Sequence, residues 1–202
     1  MTGATRRPTR NTSDAGRSVT ELLVAMAIAA GAVSFGIPAT AHVRDDTTAR
    51  QASAYLAAQL RSAQQDAIAT SRQRGVVFDA TSQGWTFRVC EDGNRNGLRR
   101  ADIDDQVDRC SAGPFRISTM FPGVTVDVDP TLRGPDGEPA SPDPVRLGRS
   151  NIASFSSSGT GTAGSVFLRG AGGQHVIVRV TGVSGRVRVL RHNPATRVWE
   201  PW

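Results

Sequence analysis

The chain has 202 residues, which is enough for one domain with a substantial core but not for two large domains. All 24 of its basic residues are arginine, so a lysine Schiff base, a P-loop lysine and a lysine general base are excluded. The formal net charge of +6 is unevenly distributed, because residues 75–145 carry −5 and residues 146–202 carry +7. The charges therefore predict a polarised domain with an acidic middle segment and a basic C-terminal quarter.

A polar, arginine-containing segment of 16 residues precedes an apolar run. No Asp, Glu, Lys or Arg occurs from Leu22 to Val43. An apolar helix of about 20 residues can span a membrane, and arginines ahead of it keep the N-terminus in the cytoplasm. The sequence predicts a transmembrane helix over residues 17–43, with the rest of the chain outside the cytoplasm. The alternative is an ordinary secretory signal that is cleaved after Ala41 and releases the chain.

Residues 44–74 are predicted to continue this helix in amphipathic form. Small and apolar residues recur there at spacings of three and four, as on one face of an α-helix. They are Ala49, Ala52, Leu56, Leu60, Ala63 and Ala67. We expect this face to pack against the remainder of the chain.

From residue 75 to residue 202 the periodicity changes from helical to alternating. Short Val-, Ile-, Phe- and Thr-rich segments predict strands at residues 76–78, 85–90, 115–118, 124–128, 152–155, 166–169, 176–181 and 185–190. Alternation is typical of antiparallel strands with one packed and one solvated face. The sequence thus predicts an α+β fold, in which a long N-terminal helix, its first half transmembrane, packs on an antiparallel β-sheet head.

The two cysteines of the chain, Cys90 and Cys110, lack the further ligands that a metal site needs. Outside the cytoplasm we expect them to form a disulfide, which would stabilise the fold by about 3 kcal/mol through loop closure. Two reduced, buried thiols are the alternative.

The sequence after Cys90 begins like a calcium-binding loop, with oxygen ligands at Asp92, Asn94 and Asn96. The twelfth position, which should carry a carboxylate, is Ile103. A turn rich in Asn and Gly is therefore favoured over this weak calcium candidate.

The sequence contains no convincing catalytic or cofactor-binding motif. The glycines of residues 159–164 match a dinucleotide fingerprint by letter, but a strand-like segment follows where that site requires a helix. The three histidines show no catalytic spacing. The sequence predicts a protein that is not an enzyme and holds no cofactor.

Residues 16–25, GRSVTELLVA, resemble the signal of type IV pilins and type II secretion pseudopilins. The resemblance implies that prepilin peptidase cleaves between Gly16 and Arg17, removing the leader at residues 1–16. It implies methylation of the new N-terminus, a helix break at Pro38, and a filament-assembly role for Glu21. In that role the carboxylate pairs with the N-terminus of an adjoining subunit, because an unpaired charge in hydrocarbon is costly.

Three further stretches, RSAQQDAI at residues 61–68, Gly84-Trp85 and VSGRVRV at residues 183–189, are similar to the GspH/FimT family of minor pseudopilins and minor pilins. The resemblance implies a structural subunit of a type II secretion pseudopilus or a type IV pilus tip. Such a subunit sits in the bacterial inner membrane with a periplasmic head. Its implied partners are prepilin peptidase, other major and minor pseudopilins, and exported proteins.

The basic C-terminal quarter suggests a second role. Alternation places Arg186 and Arg188 on one face, and Arg179 and Arg191 are predicted to extend a cationic surface that suits phosphate groups. Competence-associated members of the family are thought to hold DNA through a C-terminal Gly-Arg-x-Arg motif, which residues 185–188 match. The alternative function is thus DNA binding for natural transformation. The other interpretations of this basic face are a solvated strand face and a docking surface for an acidic neighbouring subunit.

Overall fold

The computed structural model describes the backbone of residues 18–202 and the side chains of residues 18–28 and 44–202. The predicted leader and the predicted cleavage site at Gly16 and Arg17 lie outside the described residues. The described chain divides into two units, one that ends at residue 41 and one formed by residues 42–202.

The first element is α1, Val19–Thr70. Ser18 precedes it, and its hydroxyl accepts a hydrogen bond from the Thr20 amide, as a helix N-cap does. The helical backbone continues through Pro38, so the predicted break is not seen at this residue. Within the part of the chain that the structure describes, no helix has a stretch long and apolar enough to cross a membrane. The side chains of residues 29–43, which belong to the predicted span, lie outside that part.

The C-terminal half of α1 is the spine of the core, as its periodicity predicts. All six small and apolar residues of the predicted face are buried, and Ser53 and Ala57 lie beside them. The helix ends where Ser71 adopts a φ of 51°. This half of the helix therefore owes its stability to tertiary packing of one face.

Nine strands occur in residues 42–202, in two antiparallel sheets. The first sheet has the order β3-β2-β1-β5, with β1 at Arg74–Thr81, β2 at Gly84–Glu91, β3 at Arg109–Phe115 and β5 at Ile152–Phe155. The second has the order β4-β6-β7-β8-β9, with β4 at Val145–Leu147, β6 at Gly164–Arg169, β7 at His175–Val180, β8 at Val187–Asn193 and β9 at Val198–Pro201. Two short helices, α2 at Arg100–Asp104 and α3 at Ile117–Met120, lie in the connections.

Both sheets share one hydrophobic core with α1. Leu56 of the helix, Phe87 of the first sheet and Val178 of the second belong to the same cluster of buried residues. The predicted α+β class with antiparallel sheets is confirmed. The sequence pattern did not reveal that the strands divide into two sheets, because alternation is a property of each strand and not of its pairing.

Two of the predicted strands are misplaced. Residues 115–118 were expected to be a strand, but β3 ends at Phe115 and α3 begins at Ile117. Cross-strand pairing of Cys110 with Cys90 aligns residues 109–115 with β2 instead. Residues 124–128 form only an isolated bridge, between Thr125 and Arg169.

The outer faces of both sheets are partly covered, so the expectation of a solvated face on each is wrong. On the first sheet, Val77 and Ile152 pack against Leu98 and Ile103 of the loop between the two cysteines. On the second sheet, Val128 packs on Phe167 and Ile177. We call residues 127–143, the segment over the second sheet, the acidic strap, because it contains five carboxylates and one arginine.

Candidate functional site

Glu21 lies in the first turn of α1, three residues after Ser18. A carboxylate in the first turn interacts favourably with the positive end of the helix dipole, and Ser-x-x-Glu is the capping-box pattern. This local role was not recognised from the sequence. The large apolar residues around Glu21 are all more than half exposed: Val19, Leu22, Leu23, Val24, Met26 and Ile28.

The Gly-Arg-x-Arg motif lies at the start of β8. Gly185 has a φ of 58°, and a Cβ at this position would overlap the carbonyl oxygen of Gly159 and the side chain of Gln64. Gln64 Nε2 donates hydrogen bonds to the Gly159 carbonyl at 2.7 Å and to the Ser184 carbonyl at 3.2 Å. The glycine therefore lets the loop before β8 approach α1 closely, and this contact fixes where the following arginines emerge.

Arg186 and Arg188 are exposed, and Val187 between them is buried. In the part of the chain that the structure describes, no carboxylate forms a salt bridge with either arginine. The prediction that both share one outward face is confirmed.

Two backbone carbonyls of β8 beside these arginines accept hydrogen bonds from other parts of the chain. Arg61 Nη2 donates to the Val187 carbonyl at 3.1 Å, and the Trp202 amide donates to the Val189 carbonyl at 3.2 Å. An unpaired strand edge invites association through the backbone. Two acceptors of this edge are therefore already paired within the chain.

Arg179 shares this face but is not free. It lies opposite Arg188 in the pairing of β7 with β8. Its guanidinium forms salt bridges with Asp136 and, at 2.8 Å, with Glu138, and it also donates to the Ser165 hydroxyl. The prediction that Arg179 extends the open cationic surface is therefore incorrect for this structure, because the strap supplies its counterions.

The strap also occupies other cations of the second sheet. Asp127 forms a salt bridge with Arg169, and Arg146 donates to the carbonyl oxygens of Ser141 and Asp143. The acidic middle of the sequence therefore folds onto the basic C-terminal quarter. The polarised domain expected from the linear charge distribution is replaced in part by pairing within the chain.

The pKa of Glu138 is the result of opposing effects. Burial acts to raise it, but hydrogen bonds from Arg179 and from the Asp136 amide outweigh burial and lower the pKa overall. The carboxylate is thus held in its ionised form, which is the form that competes with other anions for a guanidinium.

Arg191 does not join Arg186 and Arg188. It is three residues beyond Arg188 on β8, so alternation turns it to the opposite face. It lies opposite Glu200 of β9 and lines a cavity of about 400 Å³ together with Asp46. The predicted grouping of Arg191 with the cationic surface is wrong, because residues separated by an odd number of positions along a strand point to opposite faces.

Two histidines that are far apart in sequence meet at this cavity. His175 and His192 both line it, and the His192 ring lies 5.0 Å from the Trp199 ring. Burial lowers the pKa of both histidines, and nearby Arg169 adds to the effect on His175. The pair follows from the β7–β8 register, which the alternation within each strand does not specify by itself.

Backbone amides of the chain itself bind the Asp92 carboxylate of the weak calcium candidate. The buried Asp92 carboxylate accepts hydrogen bonds from the amides of Asn94, Arg95 and Gly97. Buried Asp108 likewise accepts from two backbone amides, and the Cys90–Cys110 disulfide closes the loop. Within the described residues, no group of three or more His, Cys, Asp or Glu side chains is arranged to hold a metal ion.

The glycine-rich stretch before β6 is a turn that leads directly into a strand, so it lacks the helix that a dinucleotide site requires.

Comparisons with protein-family models, with curated proteins and with solved structures find no match to this chain.

Proposed function

We propose that this chain is a minor pseudopilin, a structural subunit of a type II secretion pseudopilus or of a type IV pilus tip. In this role prepilin peptidase removes residues 1–16, α1 anchors the subunit in the inner membrane and packs among other pseudopilins, and residues 42–202 form the periplasmic head. The protein acts by assembly, not by catalysis.

The exposed apolar beginning of α1 carries this proposal. Six large apolar side chains between Val19 and Ile28 are each more than half exposed. Burying one such side chain is worth about 1.5–3 kcal/mol, so this segment favours lipid or the helices of neighbouring subunits over water. Glu21 is the charged residue within this apolar stretch, and a partner's N-terminal amine would satisfy it.

N-terminal sequencing after co-expression with a prepilin peptidase tests the processing step. We expect a mature chain that begins at Arg17, and no cleavage in a Gly16→Val variant. A mature chain that begins at His42 would instead identify an ordinary secretory signal and contradict the proposal.

Incorporation into sheared filaments tests the role of Glu21. We expect Glu21→Gln to be processed normally but to be recovered in filaments at about one tenth of the parent's level or less, because losing a pairing worth a few kcal/mol in an apolar environment weakens association at least tenfold. Asp105→Asn, which neutralises an exposed carboxylate of the head, is the matched control and should assemble like the parent. Equal recovery of both variants would remove Glu21 from assembly.

A second candidate function, DNA binding by the head, is favoured by the geometry of Arg186 and Arg188. Both guanidinium groups are exposed, lie on one face, and have no carboxylate partner among the described residues. Gly185 fixes the loop from which they project. Arginine contacts to phosphate are independent of sequence and weaken steeply with salt.

Fluorescence anisotropy with the full-length protein in detergent and a labelled duplex tests this function. We expect Arg186→Ala/Arg188→Ala to weaken binding about tenfold at low salt, because two phosphate contacts are lost. Arg109→Ala/Arg149→Ala removes the same charge from other exposed positions and should change binding less than about twofold. Equal effects of the two variants would contradict DNA binding through Arg186 and Arg188.

A further inference from the structure

We infer that the acidic strap is an intramolecular competitor for DNA: Asp136 and Glu138 occupy Arg179, and displacing them adds Arg179 to the surface formed by Arg186 and Arg188. This inference rests on the second candidate function. It assigns a regulatory role to residues 127–143, whose carboxylates occupy the place of DNA phosphates.

The strand register brings the three arginines together. Arg179 and Arg188 are directly paired between β7 and β8, so their side chains emerge next to each other on the outer face. Arg186 is two residues before Arg188 and accepts the Thr181 amide through its carbonyl, which continues the pairing beyond β8. With the strap removed, three guanidinium groups would lie next to one another on two adjacent strands.

The strap binds Arg179 in the manner expected of a phosphate. Two carboxylates approach the same guanidinium, and charge-assisted hydrogen bonds of this kind are equally suited to phosphate oxygens. The side chain of Arg179 is 19% exposed, whereas those of Asp136 and Glu138 are 68% and 39% exposed. The carboxylates therefore lie on the solvent side of the arginine, where an incoming polyanion meets them first.

The part of the strap that carries these carboxylates is a self-contained turn. The Gly134 amide donates to the Glu138 carbonyl at 3.0 Å, and the Asp136 amide donates to the Glu138 carboxylate at 2.9 Å. The strap forms no helix or strand, and it contains four prolines and two glycines. Such a turn can leave the sheet as a unit without the loss of ladder hydrogen bonds.

Besides Arg179, the hydrogen bonds that hold this turn on the sheet lie on either side of it. Trp199 Nε1 donates to the Arg133 carbonyl at 2.8 Å, and Arg146 donates to three carbonyls of residues 139–143. Exposed ion pairs contribute little to stability and are weakened by salt and by competing ions. A phosphate backbone held on Arg186 and Arg188 raises the local concentration of competing anions at Arg179.

DNA binding by full-length protein in detergent tests the inference, with Asp136→Asn/Glu138→Gln as the strap variant. We expect this variant to bind a labelled duplex about 3–10-fold more tightly than the parent, with a salt slope steeper by about one unit, as one added phosphate contact requires. Asp104→Asn/Asp105→Asn makes the same change in net charge on exposed residues of the disulfide loop and should change affinity less than about twofold. Adding Arg179→Ala to the strap variant should abolish the gain.

The outcomes separate the two proposals. Binding by the parent together with equal affinities of the strap variant and its control would overturn the competitor role and leave DNA binding intact. Absence of binding by both the parent and the strap variant would reject both DNA binding and the competitor role.

Trypsin cleavage after Arg133, followed by mass spectrometry, provides a readout in the unaltered protein. We expect DNA to accelerate this cleavage, and an unchanged rate with bound DNA would contradict strap displacement.

Discussion

Arg179 of β7 and Arg188 of β8 are cross-strand partners on the same face of the sheet. Arg179 forms salt bridges with two carboxylates, whereas Arg188 forms none with the residues that the structure describes. Like charges that face each other across a sheet are destabilising. Asp136 and Glu138 offset this repulsion, so the strap contributes to the stability of the second sheet as well as to the charge of its surface.

A mutant cycle measures this relationship. We expect Asp136→Asn/Glu138→Gln to lower the free energy of unfolding by about 1 kcal/mol at low salt, because Arg179 then faces Arg188 without counterions. In an Arg188→Gln background the same change should cost measurably less. Urea denaturation provides the four free energies of the cycle at low salt and again at about 0.5 M salt, and an equal loss in both backgrounds at low salt would show that the arginines do not interact.

Gly185 is expected to be intolerant of any side chain. Gly185→Ala should lower the free energy of unfolding by about 2–3 kcal/mol, because its φ of 58° is strained for alanine and the Cβ overlaps Gly159 and Gln64. Gly173, with a φ of 79° and open space around its Cβ position, is the matched control. Gly173→Ala should cost about 1 kcal/mol, and equal losses in thermal denaturation would remove the close approach as the cause.

Stability is expected to fall in mild acid through His175 and His192. Their pKa values are lowered in the folded protein, so the unfolded chain binds protons more readily. This contribution is complete above the unfolded pKa of about 6.5 and is lost as the pH falls through it towards the lower folded values. His175→Gln/His192→Gln should reduce the difference in melting temperature between pH 7.5 and pH 5, relative to the parent. An unchanged difference would assign the acid sensitivity to other groups.

Calcium is expected to have no effect on stability. Three backbone amides already occupy the Asp92 carboxylate, so the melting temperature should be the same with chelator and with millimolar calcium. Asp92→Ala should cost about 1–3 kcal/mol, because it removes the buried acceptor that pairs three backbone amides of the loop. Asp104→Ala, at an exposed position of the same loop, should cost less than about 0.5 kcal/mol. A rise in melting temperature with calcium would contradict the occupied-loop interpretation.

Local patterns were sufficient for much of the fold. The helical repeat identified the buried face of α1 from Ala49 to Ala67, because residues three or four apart share a face in any α-helix. Alternation identified the inward Val187 and the outward Arg186 and Arg188 for the corresponding reason in a strand. Both periodicities follow from backbone geometry alone.

Charge patterns were less informative, because ion pairs form between residues that are distant in sequence. The linear charge distribution predicted a polarised domain, whereas Asp136 and Glu138 lie on Arg179, about forty residues away. The folding of the strap over the second sheet depends on packing of Val128 against Phe167 and Ile177, which no local rule specifies.

The helical spine, the alternating strands and the two outward arginines of the Gly-Arg-x-Arg motif could be predicted from the sequence, since each depends on neighbours along the chain. The pairing of Arg179 with carboxylates, the position of Arg191 at a cavity and the meeting of His175 with His192 there emerged only from the folded chain. These relationships depend on which residues face each other across strands and on where a strap without regular structure docks, and periodicity within one element specifies neither.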